Sequence, residues 1–199
     1  MKLLFASANL HKVVEVARIL GSGYELLSLR SVGYLREIPE EGTTFEANAL
    51  AKALALASHF SIPCFADDSG LEVDALGGAP GVWSARFSGE RDPLLRDAAN
   101  IELLLQKLEG VSHRSARFRT VIAFVNGGRN WFFEGKVEGT IALAPRGTGG
   151  FGYDPVFVPE GFASHFSELS MEEKNRISHR GQAVRRLAAF LAAGANNPR

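Results

Sequence analysis

The chain has 199 residues, 46% of them hydrophobic and 22% charged, with 22 basic side chains set against 22 acidic ones. A chain of this length can bury roughly 70% of the surface its unfolded form exposes, so a true core is possible and disorder is not indicated. The neutral balance argues against wrapping nucleic acid, which needs a basic excess, but not against a small anion held in a local basic pocket.

Residues 2–6 read as a short strand, followed by the polar turn Ser7-Ala8-Asn9-Leu10-His11-Lys12. Val13, Val14, Ala17 and Leu20 then recur at helical spacing, and Gly21 stops the helix. Residues 24–29 look like a second strand, which makes the opening that of an α/β fold. Residues 43–59 form the clearest helix: Thr43 and Glu46 fit a capping box, and an Ala- and Leu-rich run follows. Residues 63–67 read as a buried strand ending in two acids, and Gly77-Gly78-Ala79-Pro80-Gly81 as a loop. Asp92 as N-cap and Pro93 in the first turn open another helix, which Gly110 ends. Residues 115–142 change to strand character. There Asn126-Gly127-Gly128 signals a hairpin between a run carrying Phe118, Val121, Ala123 and Val125 and a return strand starting at Trp131-Phe132-Phe133. A glycine-rich loop covers 147–152, and a helix from about Ser178 to Ala193, capped by Gly194, closes the chain. No repeat or linker interrupts this order, so one α/β domain over residues 1–199 is expected.

Cys64 lies between Ile62 and Phe65 with no basic neighbour in sequence, which suits a buried core thiol better than a reactive one. No apolar run reaches the length of a membrane span. The first residues turn polar too soon for a signal peptide, so a cytoplasmic protein with no membrane partner is expected.

Four polar clusters could carry chemistry. The turn from Ser7 to Lys12 precedes a helix, whose first N–H groups attract anions; it is either a phosphate cradle or a polar turn capped by Asn9. Glu40 and Glu41 precede the long helix that carries Lys52, which is either a phosphate ligand or a solvated helix charge. Asp67-Asp68-Ser69-Gly70 follows an apolar strand. Such a pair can hold magnesium, which takes one or two carboxylates and completes its shell with water and phosphate oxygens, or can supply a general base; the alternative is a simple Asx turn. The loop through Phe151-Gly152-Tyr153-Asp154 lets backbone approach a ligand and presents two aromatics, and Lys174, His179 and Arg180 gather near the last helix. Acids, cations, neutral donors and an aromatic face together fit a nucleoside triphosphate with magnesium.

The ordered motifs S-x-N-x-x-K, E-x-G-x-T-F, A-D-D-S-G-L, G-G-A-P-G, G-T-G-G-F-G-Y-D-P and E-K-N-x-x-S-H-R-G-Q-A cover essentially the whole chain. In this the sequence resembles the inosine triphosphate pyrophosphatase family. The resemblance implies an elongated mixed α/β sheet with flanking helices, two lobes around a deep substrate cleft, and a homodimer. It implies hydrolysis of non-standard purine triphosphates such as ITP, dITP and XTP to a monophosphate and pyrophosphate. Glu40 and Asp68 would hold Mg²⁺, with Asp68 also accepting the proton of the attacking water. Ser7, Ala8, Asn9, Leu10, His11, Lys12, Lys52 and Ser69 would hold phosphates and sugar. Phe151, Gly152, Tyr153 and Asp154 would line the base and ribose side, and Lys174, His179 and Arg180 would contact the purine. Many relatives carry a second Glu where this chain has Ala47. The rival readings are a septum-formation-type nucleotide pyrophosphatase and a nucleotide-binding module without turnover.

Overall fold

A computed structural model describes residues 1–36 and 38–194 of the chain. The elements in order are β1 (Lys2–Phe5), α1 (Leu10–Leu20), β2 (Glu25–Ser28), α2 (Phe45–Ala57), β3 (Cys64–Val73), α3 (Arg96–Lys107), β4 (Ser115–Asn126), β5 (Arg129–Ile141), β6 (Phe157–Pro159), α4 (Met171–Ile177) and α5 (His179–Ala192). The strands neighbour one another in the order β2-β1-β3-β4-β5-β6. β1 runs parallel to both β2 and β3, and β6 antiparallel to β5, so the sheet is mixed as expected. Among the described residues no helix is long and apolar enough to cross a membrane.

The chain forms two compact units, and the long strands β3, β4 and β5 run from one into the other. The first unit comprises residues 1–68, 120–135 and 180–199. Its strands β1 and β3 are buried on both faces, with successive side chains packing against helices on opposite sides. Leu3, Phe5 and Phe65 pack with Val16 and Leu20 of α1 and Ala183, Val184 and Leu187 of α5. Leu4, Ala6, Cys64 and Ala66 pack on the other face, with Ala49, Ala53 and Leu56 of α2. Burial pushes the Cys64 thiol up to about 11, as suits the inert core residue expected.

The second unit comprises residues 69–119 and 136–179. Leu71 and Val73 of β3, Leu104 of α3, Leu108 just after it, and Phe118, Phe157 and Phe166 belong to its core. Phe118 is stacked on His179 with ring centroids 4.8 Å apart.

Three sequence expectations need correction. α2 is capped by Thr44, whose hydroxyl accepts from Ala47 N–H at 3.2 Å, so the Thr43–Glu46 box does not form. α3 starts at Arg96, because Asp92 and Pro93 build a separate turn in which Asp92 Oδ1 accepts from Leu94 N–H at 2.9 Å. The strand expected to end at the acid pair instead continues through Asp67, Asp68, Ser69 and Gly70 to Val73.

Candidate active site

The continuation of β3 decides how the acids are used. Adjacent strand residues face opposite sides of a sheet, and Asp67 and Asp68 meet different helices. On one side, Lys12 of α1 lies 3.0 Å from Asp67 Oδ2, and Arg180 of α5 donates from Nε to the same oxygen at 3.1 Å. Arg180 also donates from Nη1 to Glu15 Oε2 at 2.6 Å and is only 2% exposed. Burial alone would raise Asp67, but Lys12, Arg180 and Lys52 together hold its carboxyl far below the usual range. Lys12 is lowered, chiefly by its own burial, against the pull of Asp67.

On the other side, Asp68 faces α2. Lys52 Nζ lies 3.2 Å from Asp68 Oδ1 and 2.6 Å from Glu40 Oε1, so one ammonium bridges two carboxylates. Asn48, one helical turn before Lys52, donates to Asp68 Oδ2 at 3.0 Å, and its own oxygen accepts from Gly42 N–H at 2.8 Å. That second bond fixes the segment leading from Glu40 into α2. Glu40, rather than the exposed Glu41, is therefore the acid that faces Asp68. Burial raises the Asp68 carboxyl, with Glu40 adding to the rise, and Lys52 and Asn48 only partly oppose it. Lys52 is raised, because Asp68 and Glu40 outweigh its burial.

In the turn before α1, Asn9 caps the helix. The helix begins at Leu10, and Asn9 Oδ1 accepts from His11 N–H at 2.9 Å and Lys12 N–H at 3.3 Å. Asn9 N–H in turn donates to Ser7 Oγ at 3.2 Å. Ala8, Leu10 and His11 are exposed, and Ser7 is half-buried.

In the second unit, Ser69 is half-buried on β3. Tyr153 is buried and its Oη donates to the Ser84 carbonyl at 2.9 Å. Asp154 is buried against Lys174, with Oδ2 2.6 Å from the ammonium, and the same oxygen accepts from Phe151 N–H at 2.9 Å. Lys174 also lies 4.7 Å from the Phe151 ring centroid, within cation–π range. It sits on its own short helix α4, capped by Ser170, ahead of the last helix and not expected from the sequence. Tyr153 and Asp154 are thus engaged in shaping the loop. Gly150, at φ 75°, is required there, since a Cβ would lie 2.1 Å from Asp154 Oδ2.

In the first unit the structure brings Lys12 and Arg180 together around Asp67 and, on the other side of the strand, Glu40 and Lys52 around Asp68; in the second it brings Phe151, Asp154 and Lys174 together. Sequence reasoning missed Glu15 and Asn48. A signal for Asn48 exists, because Asn48 and Lys52 form an i, i+4 polar pair on an otherwise Ala- and Leu-rich helix. Among the described residues no three His, Cys, Asp or Glu side chains gather to hold a metal. A divalent ion at Glu40 and Asp68 would therefore complete its shell with water and substrate oxygens, the habit of magnesium. The two carboxylates already converge on one cation, Lys52, so the donor set fits such an ion.

Buried carboxylates set against buried ammonium groups occur at active sites and in structural ion-pair networks alike, so the comparisons with known proteins decide between them. A model of the Ham1 family matches residues 3–190. A dITP/XTP pyrophosphatase of Porphyromonas gingivalis is 51% identical over 191 residues, covering 96% of this chain and 97% of its own. The dITP/XTP pyrophosphatase of Bacillus subtilis is 45% identical, covering 96% of each chain. Among solved structures, a HAM1 protein from Coxiella burnetii superposes with a TM-score of 0.88 at 38% identity, covering 98% of this chain and all of its own. The chain belongs to the Ham1 family.

Proposed function

We propose that this protein is a cytoplasmic, homodimeric, Mg²⁺-dependent pyrophosphatase that hydrolyses non-standard purine nucleoside triphosphates to a monophosphate and pyrophosphate. The observation that carries the reading is the Lys52 ammonium held between Glu40 and Asp68, two carboxylates already converging on one cation. The relatives named for dITP and XTP support the substrate class.

Glu40 and Asp68 would hold Mg²⁺, which supplies charge neutralisation on the phosphate oxygens. Asp68 takes the proton of a water that attacks the α-phosphorus. The bond to the α,β-bridging oxygen breaks, and the electron pair leaves with pyrophosphate. Lys12 and Lys52 bring positive charge to the phosphates, and Ser7, Asn9 and Ser69 offer neutral donors. Phe151 stacks on the base without choosing it, since every base offers a π face. Lys174, paired with Asp154, and His179, stacked on Phe118, are each 4% exposed and reach the purine only if ligand binding uncovers them; either can then donate to the carbonyl at position six, where adenosine carries an amino group. Arg180, paired with two acids and 2% exposed, reaches the purine only if ligand binding uncovers it.

A pyrophosphate-release panel tests the reading. ITP, dITP and XTP should be cleaved with Mg²⁺ and spared with EDTA, and ATP should be a poor substrate. Preferential cleavage of pyrimidine triphosphates would favour the septum-formation type, and nucleotide binding without turnover would favour the binding module.

A further inference from the structure

The two peptide N–H groups that flank the Cα of Phe151 are each held by a carboxylate. Phe151 N–H donates to Asp154 Oδ2 at 2.9 Å, and Gly152 N–H donates to Asp97 Oδ2 at 2.7 Å. Asp154 belongs to the loop itself. Asp97 comes from the first turn of α3, far away in sequence, and none of the sequence motifs includes it. One residue further on, Tyr153 Oη donates to the Ser84 carbonyl at 2.9 Å, and Asn100, also on α3, donates to the same carbonyl at 3.3 Å. Helix α3 therefore meets the loop twice, once directly through Asp97 and once through the carbonyl that Asn100 shares with Tyr153.

We propose that Asp97 is a positioning residue for the purine base. By fixing the Gly152 peptide it sets the direction in which Phe151 presents its ring. The proposal rests on the reading of Phe151 as the stacking residue given above. Its physical basis is the freedom of the neighbouring residues. Gly150 and Gly152 adopt positive φ values of 75° and 61°, a region where glycine is permissive, so the segment between them is intrinsically loose. Pinning both peptides beside the Phe151 Cα removes that looseness before ligand arrives, and a pre-ordered ring binds without the cost of ordering it. The plain alternative is that Asp97 merely balances the α3 dipole. That role would affect the helix but not one ligand fragment selectively.

Calorimetric titration with inosine monophosphate, and separately with inorganic pyrophosphate, both with Mg²⁺, distinguishes these roles. In Asp97→Ala, inosine monophosphate binding should weaken by about tenfold while pyrophosphate binding changes by less than about twofold. Asp97→Asn keeps an acceptor oxygen and should recover most of the loss. Unchanged inosine monophosphate affinity in Asp97→Ala overturns the proposal, as does an equal loss for both ligands or a failure of Asp97→Asn to recover. The wild-type preparation is assayed for ITP cleavage alongside. If it does not cleave ITP, the functional reading itself fails; if it does and Asp97→Ala binds normally, only the role of Asp97 fails.

Discussion

Asp67 and Asp68 are neighbours in sequence with different duties, because the strand sends them to opposite faces. Asp67 is buried between Lys12 and Arg180 and works as a structural counter-charge. Asp68 faces Glu40, Lys52 and Asn48, where the proposed base and metal ligand would act. The paired substitutions should therefore separate. Asp68→Asn should stay folded and lose roughly 10²- to 10⁴-fold in kcat, the usual worth of a general base. Asp67→Asn should cost about 3–5 kcal/mol of stability, because it removes the carboxylate that Lys12 pairs with and leaves Arg180 only Glu15. The sign of the pH effect agrees: a depressed carboxyl adds stability that is present above its unfolded pKa of roughly 3.9 and is lost as pH falls through its folded value. Wild type and Asp67→Asn should thus converge in denaturant midpoint in acid. A stable Asp67→Asn enzyme with no turnover, beside an active Asp68→Asn, would reverse the assignment. The acid pair was legible in the sequence, but its division of duties was not, since a motif does not show which way a side chain points. Glu15 was equally invisible, a carboxylate on a helix whose partner Arg180 is distant in sequence.

At the scale of elements, strong local signals held and weaker ones yielded to packing. The Asn126-Gly127-Gly128 hairpin formed as read: β4 ends at Asn126, β5 starts at Arg129, and the two glycines between them have φ 56° and 76°, as a tight hairpin turn requires. The run Asp-Asp-Ser-Gly has the local chemistry of a turn, yet it continues β3. Buried partners for both acids and the apolar Leu71 and Val73 beyond them outweigh that preference. Gly70 is the point where the strand depends on its surroundings. A Cβ there would lie 2.2 Å from the Gly81 carbonyl oxygen and 2.7 Å from Ser84 Oγ. Ser84 Oγ also accepts from Leu71 N–H at 2.9 Å, so the crowding strikes the contact that ties β3 to the turn Gly81–Arg86. Gly70→Ala should destabilise by about 1–3 kcal/mol, the range for overpacking a tight site. Thermal unfolding measures this, and an unchanged midpoint would mean that the loop yields freely.

For the whole molecule, the α/β class and the order of the longer elements were readable because each carried its own period and breakers, whereas the short β6 and α4 were not. The division into two units was not, because no linker marks it and three strands belong to both. Homodimerisation is expected from the family resemblance. Light scattering at micromolar concentration should give twice the 21.5 kDa chain mass, and the single-chain mass would contradict it. The central claim is that Asp68 directs water onto the α-phosphorus of a non-standard purine triphosphate. Hydrolysis of ITP with Mg²⁺ in ¹⁸O-labelled water, followed by mass spectrometry of both products, tests it most directly. The account predicts inosine monophosphate carrying one labelled oxygen and pyrophosphate carrying none. Label in pyrophosphate, or orthophosphate and inosine diphosphate as the direct products, would contradict it.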